Sequence, residues 1–255
     1  METSVSRRAA IAALTGLLCW APTLARATSI IGVRAPDGFY VAADSLVTHL
    51  GGQPTTMCKI GYYRGVLFAI AGLSSWPGRY DAAETARAAI GADNLDLGGA
   101  VDVYAARMLG TFTAIAPALE RAAPRRFFTM VLGSPLLETV FARRVGTGFQ
   151  VGAVELDMDQ HGKAYVFSRN VCPGPSCPGH NTVLLGLHRG IAKLLRERPA
   201  IASEIGTVEA LRLMIDAEAN EQPTAVGPPT SIAEIANDGK LHWRLPGLCN
   251  GGKAS

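Results

Sequence analysis

Residues 28–48 read TSIIGVRAPDGFYVAADSLVT, and the fold follows from how this stretch divides. Ile30 to Val33 and Phe39 to Ala43 are rich in β-branched and aromatic residues, and Ala35-Pro36-Asp37-Gly38 between them supplies turn residues. This predicts a β-hairpin with Thr28 at its open end. A second pair of strands is expected from Lys59 to Tyr63 and from Gly65 to Ala71, joined tightly through Arg64-Gly65. Pairing these strands brings Asp44 and Lys59 back toward the Thr28 end.

What precedes Thr28 gives that end its chemistry. Residues 1–27 carry Arg7 and Arg8, an apolar run from Ala9 to Trp20, and Pro22, then close on Ala25-Arg26-Ala27. A basic start, a short apolar run and an A-x-A site make a secretory signal, with cleavage expected after Ala27. The run is short for a transmembrane helix, which needs about 20 residues, so no stable membrane anchor is expected. Ser6-Arg7-Arg8 partly matches a twin-arginine signal, which leaves the export route open. Cleavage removes three arginines and one glutamate, taking the formal net charge from +3 to +1. The expected product is exported to the periplasm or beyond, and residues 28–255 form one domain.

That cut makes Thr28 the first residue. A threonine at a free N-terminus has a hydroxyl and an α-amine on adjacent carbons. The amine has a pKa near 8, so it can serve as general base for the hydroxyl directly or through a water. An internal threonine has no such amine. A lysine at Lys59 would place a positive charge near Thr28 and lower the pKa of its hydroxyl and α-ammonium. Asp44 would pair with Lys59 and keep it charged and oriented. A glycine at Gly72 lets a backbone N–H approach a developing oxyanion with no side chain in the way.

These elements fall in a known order. Thr28-Ser29-Ile30-Ile31-Gly32-Val33, Asp37-Gly38, Ala42-Ala43-Asp44-Ser45, Lys59-Ile60 and Ala71-Gly72-Leu73 together resemble the start of the proteasome β-type peptidases, in the N-terminal nucleophile hydrolase superfamily. The resemblance runs from Thr28 to about Gly72. It implies an α+β four-layer αββα sandwich in a single domain, with Thr28, Asp44 and Lys59 as catalytic residues and the Gly72 N–H at the oxyanion. It implies no metal or organic cofactor, a peptide or small amide substrate, and a homo-oligomeric ring. Export argues against an ATPase partner. Two rival readings stand beside it: an amidase or acylase acting on a small amide, and a catalytically silent binding or assembly protein.

Further along, Tyr80–Ile90 and Leu97–Arg121 have helical spacing, with Pro117 placed to kink or end the second. Strands are expected at Phe127–Leu132, Leu136–Ala142, Phe149–Leu156 and Ala164–Phe167, with a turn at Asp159–Gly162. Helices are expected over Thr182–Arg196 and Val208–Ala219. Ser231–Ile235 and Leu241–Trp243 close the chain around Asn237-Asp238-Gly239. Here the chain departs from the family pattern. The segment Pro223-Thr224-Ala225-Val226-Gly227-Pro228-Pro229 has Pro223 and Val226 where the family has Asp and Ser, and Leu187 stands where it has Ser. Glu218 and Thr224 are candidate substitutes.

Composition sets the remaining limits. At 48% hydrophobic and 18% charged, the chain has a globular make-up, and no Lys/Arg run points to nucleic acid. Five cysteines are too few for a disulfide-built scaffold. After cleavage Cys58, Cys172, Cys177 and Cys249 remain. Cys172 and Cys177, separated by turn residues, are the expected bridge, leaving Cys58 and Cys249 either to pair or to stay free. A zinc site on Cys172, Cys177 and His180 is disfavoured by its spacing. Trp76-Pro77-Gly78 reads as a helix-start loop, with a substrate-facing rim as the alternative.

Overall fold

The computed structural model describes residues 28–47, 54–92, 95–122, 135–158, 164–172 and 182–249. The predicted hairpin forms as β1 (Ser29–Ala35) and β2 (Gly38–Ala43), in register from Ile30 opposite Ala43 to Ala35 opposite Gly38. Short strands β3 (Leu46–Val47) and β4 (Thr55–Thr56) pair with each other. Next come β5 (Ile60–Tyr63) and β6 (Val66–Gly72), then the small hairpin β7 (Ser75–Trp76) and β8 (Tyr80–Asp81). Helices α1 (Ala82–Ile90) and α2 (Leu97–Ala122) follow. Asp81 starts α1 by accepting the Ala83 and Glu84 N–H groups, as an N-cap aspartate does. Pro117 sits inside α2 without ending it.

Three long strands come next: β9 (Leu137–Val145), β10 (Gly148–Met158) and β11 (Ala164–Cys172). The chain closes with β12 (Thr182–Gly186), α3 (Arg189–Glu197), α4 (Ile201–Ile205), α5 (Thr207–Glu221), β13 (Ser231–Ala236) and β14 (Leu241–Leu245). The expected strand at 127–132 and turn at 159–162 lie outside the described residues.

The result is a mixed α and β domain built on two five-stranded antiparallel sheets, ordered β12-β1-β2-β13-β14 and β11-β10-β9-β6-β5. One expectation is corrected. The helix expected from Thr182 begins only at Arg189, because Thr182–Gly186 extends along β1 and alternates, with Val183 and Leu185 buried between the sheets and Leu184 turned toward the helices. Gly186, at φ +71, then turns the chain out of the strand. The two early strand pairs belong to different sheets, so Lys59 reaches Asp44 across the space between sheets.

Strand alternation assigns each side chain to a core. Ile30, Phe39 and Val41 meet Leu67, Ala69 and Val140 between the sheets. Ile31, Tyr40 and Ala42 turn the other way and pack on Ile191, Leu211 and Ile215 of α3 and α5. On the far side of the second sheet, Phe68 and Phe141 pack against Tyr104, Met108 and Phe112 of α2. Among the described residues, no helix is long and apolar enough to cross a membrane.

Candidate active site

Thr28 immediately precedes β1 and is 3% exposed. Its carbonyl accepts the Leu187 N–H at 2.9 Å, continuing the β1–β12 pairing by one residue. Asp44 immediately follows β2, and the hairpin register sets it beside Ser29. The Ser29 N–H donates to Asp44 Oδ1 at 2.9 Å, and the Asp44 N–H donates to the Ser29 carbonyl at 3.2 Å. Lys59 lies just before β5 in the other sheet and donates from Nζ to the same Oδ1 at 2.7 Å. The two side chains are 4% and 0% exposed. Asp44 Oδ2 accepts the N–H groups of Leu46 at 3.0 Å and Gly227 at 3.2 Å. The carboxylate thus has four donors from four segments. That number matters, because burying a charged pair costs several kcal/mol per ion unless its lone pairs are satisfied.

Burial pulls the Lys59 ammonium below the ordinary lysine range, and the Asp44 carboxylate beside it pulls it part of the way back. The structure therefore brings together Asp44, Lys59 and the backbone adjoining Thr28, as the sequence predicts. Gly72 ends β6, is exposed, and has φ +89. A Cβ there would lie 2.3 Å from the Leu136 carbonyl oxygen, so the chain needs glycine at this turn on geometric grounds alone.

Beside Lys59 opens a cavity of about 80 Å³, with Ile60, Phe68 and Ile70 on its apolar side and Asp81 and Arg87 as charged neighbours. Trp76 and Pro77 belong to the β7–β8 hairpin that leads into α1. Among the described residues, no cluster of His, Cys, Asp and Glu could hold a metal ion.

Other sequence candidates fall elsewhere. Glu218 is fully buried in α5, where Oε2 accepts the Gly190 and Ile191 N–H groups at 2.6 and 3.2 Å. Its carboxylate caps the first turn of α3. Thr224 is exposed and Val226 lies in the core under α5. The broken motif still serves the site, because its Gly227 N–H holds Asp44. The cleavage-site residues Ala25 and Ala27 lie outside the described residues, as does the expected Cys172–Cys177 bridge, whose Cys177 is not described. Cys58 and Cys249 form a disulfide across a sequence separation of 191, anchoring the residue next to Lys59 to the turn after β14. Sequence reasoning missed Gly227 and also Glu138, whose Oε2 accepts the Gly186 N–H at 2.7 Å.

No family model matches the chain, and no curated protein matches it. Similar solved structures include Anbu (ancestral beta-subunit) from Yersinia bercovieri, at 11% identity and TM-score 0.47, covering 84% of this chain and 86% of that one. An Anbu mutant from Hyphomicrobium sp. strain MC1 is 13% identical, with TM-score 0.46 and 84% of each chain covered. The helical assembly of the Anbu complex from Pseudomonas aeruginosa is 11% identical, with TM-score 0.44, covering 81% of this chain and 80% of that one. These figures overturn membership of the proteasome β-type peptidases as read from the N-terminal motifs. With no matching family model and such low structural similarity, the short run from Thr28 to Gly72 does not define a family, and the chemistry must be judged on the site itself.

Proposed function

We propose that the chain, cut between Ala27 and Thr28 during export, is an N-terminal-threonine amidohydrolase whose substrates are short peptides. The observation that carries this reading is the buried Asp44 carboxylate, one oxygen of which is shared by the Lys59 ammonium and the Ser29 N–H, one residue from Thr28. A buried ion pair is a poor way to gain stability, because well-packed apolar residues of similar volume often do as well or better. Placed against residue 28, it has a chemical use.

Thr28 Oγ attacks the substrate amide carbonyl while the α-amine takes the hydroxyl proton. The tetrahedral oxyanion is met by the Gly72 N–H. The C–N bond breaks as the α-ammonium returns the proton to the leaving amine, and an ester to Thr28 remains. Water, deprotonated by the same amine, hydrolyses that ester and restores the hydroxyl. Lys59 makes the amine available as a base near neutral pH, and Asp44 holds Lys59. The cavity beside Lys59 receives a substrate side chain. Its volume, about 80 Å³, also favours a second reading, a small acylated amide.

The stacking of the three apolar cores supports a layer order of helices, sheet, sheet, helices for residues 28–255. The Pseudomonas aeruginosa protein is described as a helical assembly, and assembly into several copies is part of this proposal.

The test compares three proteins: the chain starting at Thr28, the same chain extended by Ala27, and the Thr28→Ala variant. Only the first should turn over amide substrates and carry an acyl adduct on residue 28 by mass spectrometry. Equal turnover by Thr28→Ala overturns the nucleophile, and a secreted protein beginning at any residue other than Thr28 overturns the activation. A panel of peptides against small acyl amides separates the two substrate readings.

A further inference from the structure

We infer that Glu138 is a positioning residue for Thr28, holding the strand end against which Thr28 is registered; the inference rests on Thr28 being the nucleophile. Glu138 lies in β9 opposite Ala71 of β6. Alternation gives it the face of Val140 and Ala142, which is turned toward the other sheet. Its neighbour Thr139 turns to the helices, where its hydroxyl lies 2.9 Å from that of Tyr104. From the inner face, the Glu138 carboxylate crosses to the first sheet and accepts the Gly186 N–H at 2.7 Å.

Gly186 ends β12 and pairs with Ser29. A Cβ on it would lie 2.2 Å from the Thr28 carbonyl oxygen and 3.7 Å from Ala71 Cβ, so Gly186 packs on the Thr28 carbonyl and lies next to Ala71. The next N–H, that of Leu187, donates to the Thr28 carbonyl. On the other side, the Gly186 carbonyl lies 3.0 Å from His188 Nδ1. One carboxylate therefore ties β9, at the level of the Ala71-Gly72 end of β6, to the peptide beside residue 28.

Apolar packing between the sheets is non-directional, so it sets their spacing but only loosely their offset. A charge-assisted hydrogen bond is short and directional, and it fixes that offset where it matters. Placement of the attacking hydroxyl relative to the Gly72 N–H depends on it, because Thr28 comes from one sheet and Gly72 from the other. A misplacement on the order of 1 Å can cost a reaction roughly 100-fold.

The test uses the chain starting at Thr28, with Glu138→Leu, Glu138→Gln and Glu138→Asp. In the Leu variant, kcat should fall roughly 10- to 100-fold, with KM changed by less than about twofold. The Gln variant keeps an acceptor oxygen at the same reach and should stay within about threefold of the parent. Should the Leu variant not fold, the Asp variant, which keeps the charge but withdraws the oxygen, should show the same fall in kcat. Amide hydrogen exchange gives a readout independent of turnover: protection at Gly186 and Leu187 should drop in the Leu and Asp variants and persist in Gln. Unchanged kcat in the Leu or Asp variant overturns the inference, as does an equal loss in Gln. If Thr28→Ala turns over substrate like the parent, the nucleophile assignment fails instead, and the exchange data alone decide whether Glu138 holds this strand end.

Discussion

The two ends of the β1–β2 hairpin are built on opposite terms. At the turn end, Pro36 and Asp37 face solvent and the polar contacts include neutral ones, such as Asn237 Nδ2 to the Pro36 carbonyl at 2.7 Å. Tyr40 donates its hydroxyl to Asp37 Oδ2 at 2.7 Å. At the open end, a full ion pair is withdrawn from water, and each of its contacts comes from a different segment. Exposed turn chemistry costs little and contributes little. Buried charge is costly, and a fold keeps it only where every donor is placed. The Glu234–Arg244 pair near the turn marks the difference in degree: Arg244 stays 45% exposed, whereas both partners of the Asp44–Lys59 pair are buried.

Asp44→Ala should break this contrast most severely. It leaves Lys59 buried without its carboxylate and removes the acceptor for the Ser29, Leu46 and Gly227 N–H groups, so a loss of about 3–5 kcal/mol is expected in chemical denaturation. A loss below about 1 kcal/mol would place the two ends on equal terms. Lys59→Met should cost less, about 1.5–3 kcal/mol, because three backbone donors remain on Asp44. It also tests the pH dependence.

Since burial holds the folded Lys59 pKa below the ordinary 10.5, the unfolded chain binds the extra proton between those two values. Stability should therefore rise with pH across that interval and stay at its reduced level below it. The Met variant should lack that rise in pH-resolved melts. Gly38→Ala probes the quiet end at its tightest point, where a Cβ would lie 2.6 Å from the Ile235 carbonyl oxygen. About 1–3 kcal/mol is expected from this overpacking, with turnover unchanged. Asn237→Ala should be the smallest, within about 0.5 kcal/mol, as for exposed substitutions generally.

The hairpin and its bearing on Thr28 were readable because alternation and turn residues are local signals. The convergence of Asp44 and Lys59 was readable for the same reason: both stand at strand ends. That Lys59 arrives from a second sheet was not readable, since strand pairs carry no label for the sheet they join. Thr182–Gly186 misled because an apolar run before a helix has no breaker until Gly186, whose positive φ only the fold reveals. Gly227 was hidden by its own motif: the side chains depart from the pattern, but the contribution is a backbone N–H that almost any residue could supply. Glu138 looked like an ordinary polar strand residue, because its partner is a peptide group 48 positions away. The Cys58–Cys249 pairing lay among alternatives that spacing cannot rank.

That disulfide has a consequence for how the chain matures. A chain crossing a membrane from its N-terminus presents Cys58 long before Cys249, and Cys172 and Cys177 emerge between them. An oxidase acting strictly in order of emergence would join Cys58 to Cys172. The bond observed between Cys58 and Cys249 can close only after the last strand has arrived, either by waiting or by exchange from an earlier partner. The segment carrying Lys59 is therefore locked by a stretch of chain made 191 residues later, and on the proposed export route covalent closure of the site would report that the chain as far as Cys249 has crossed.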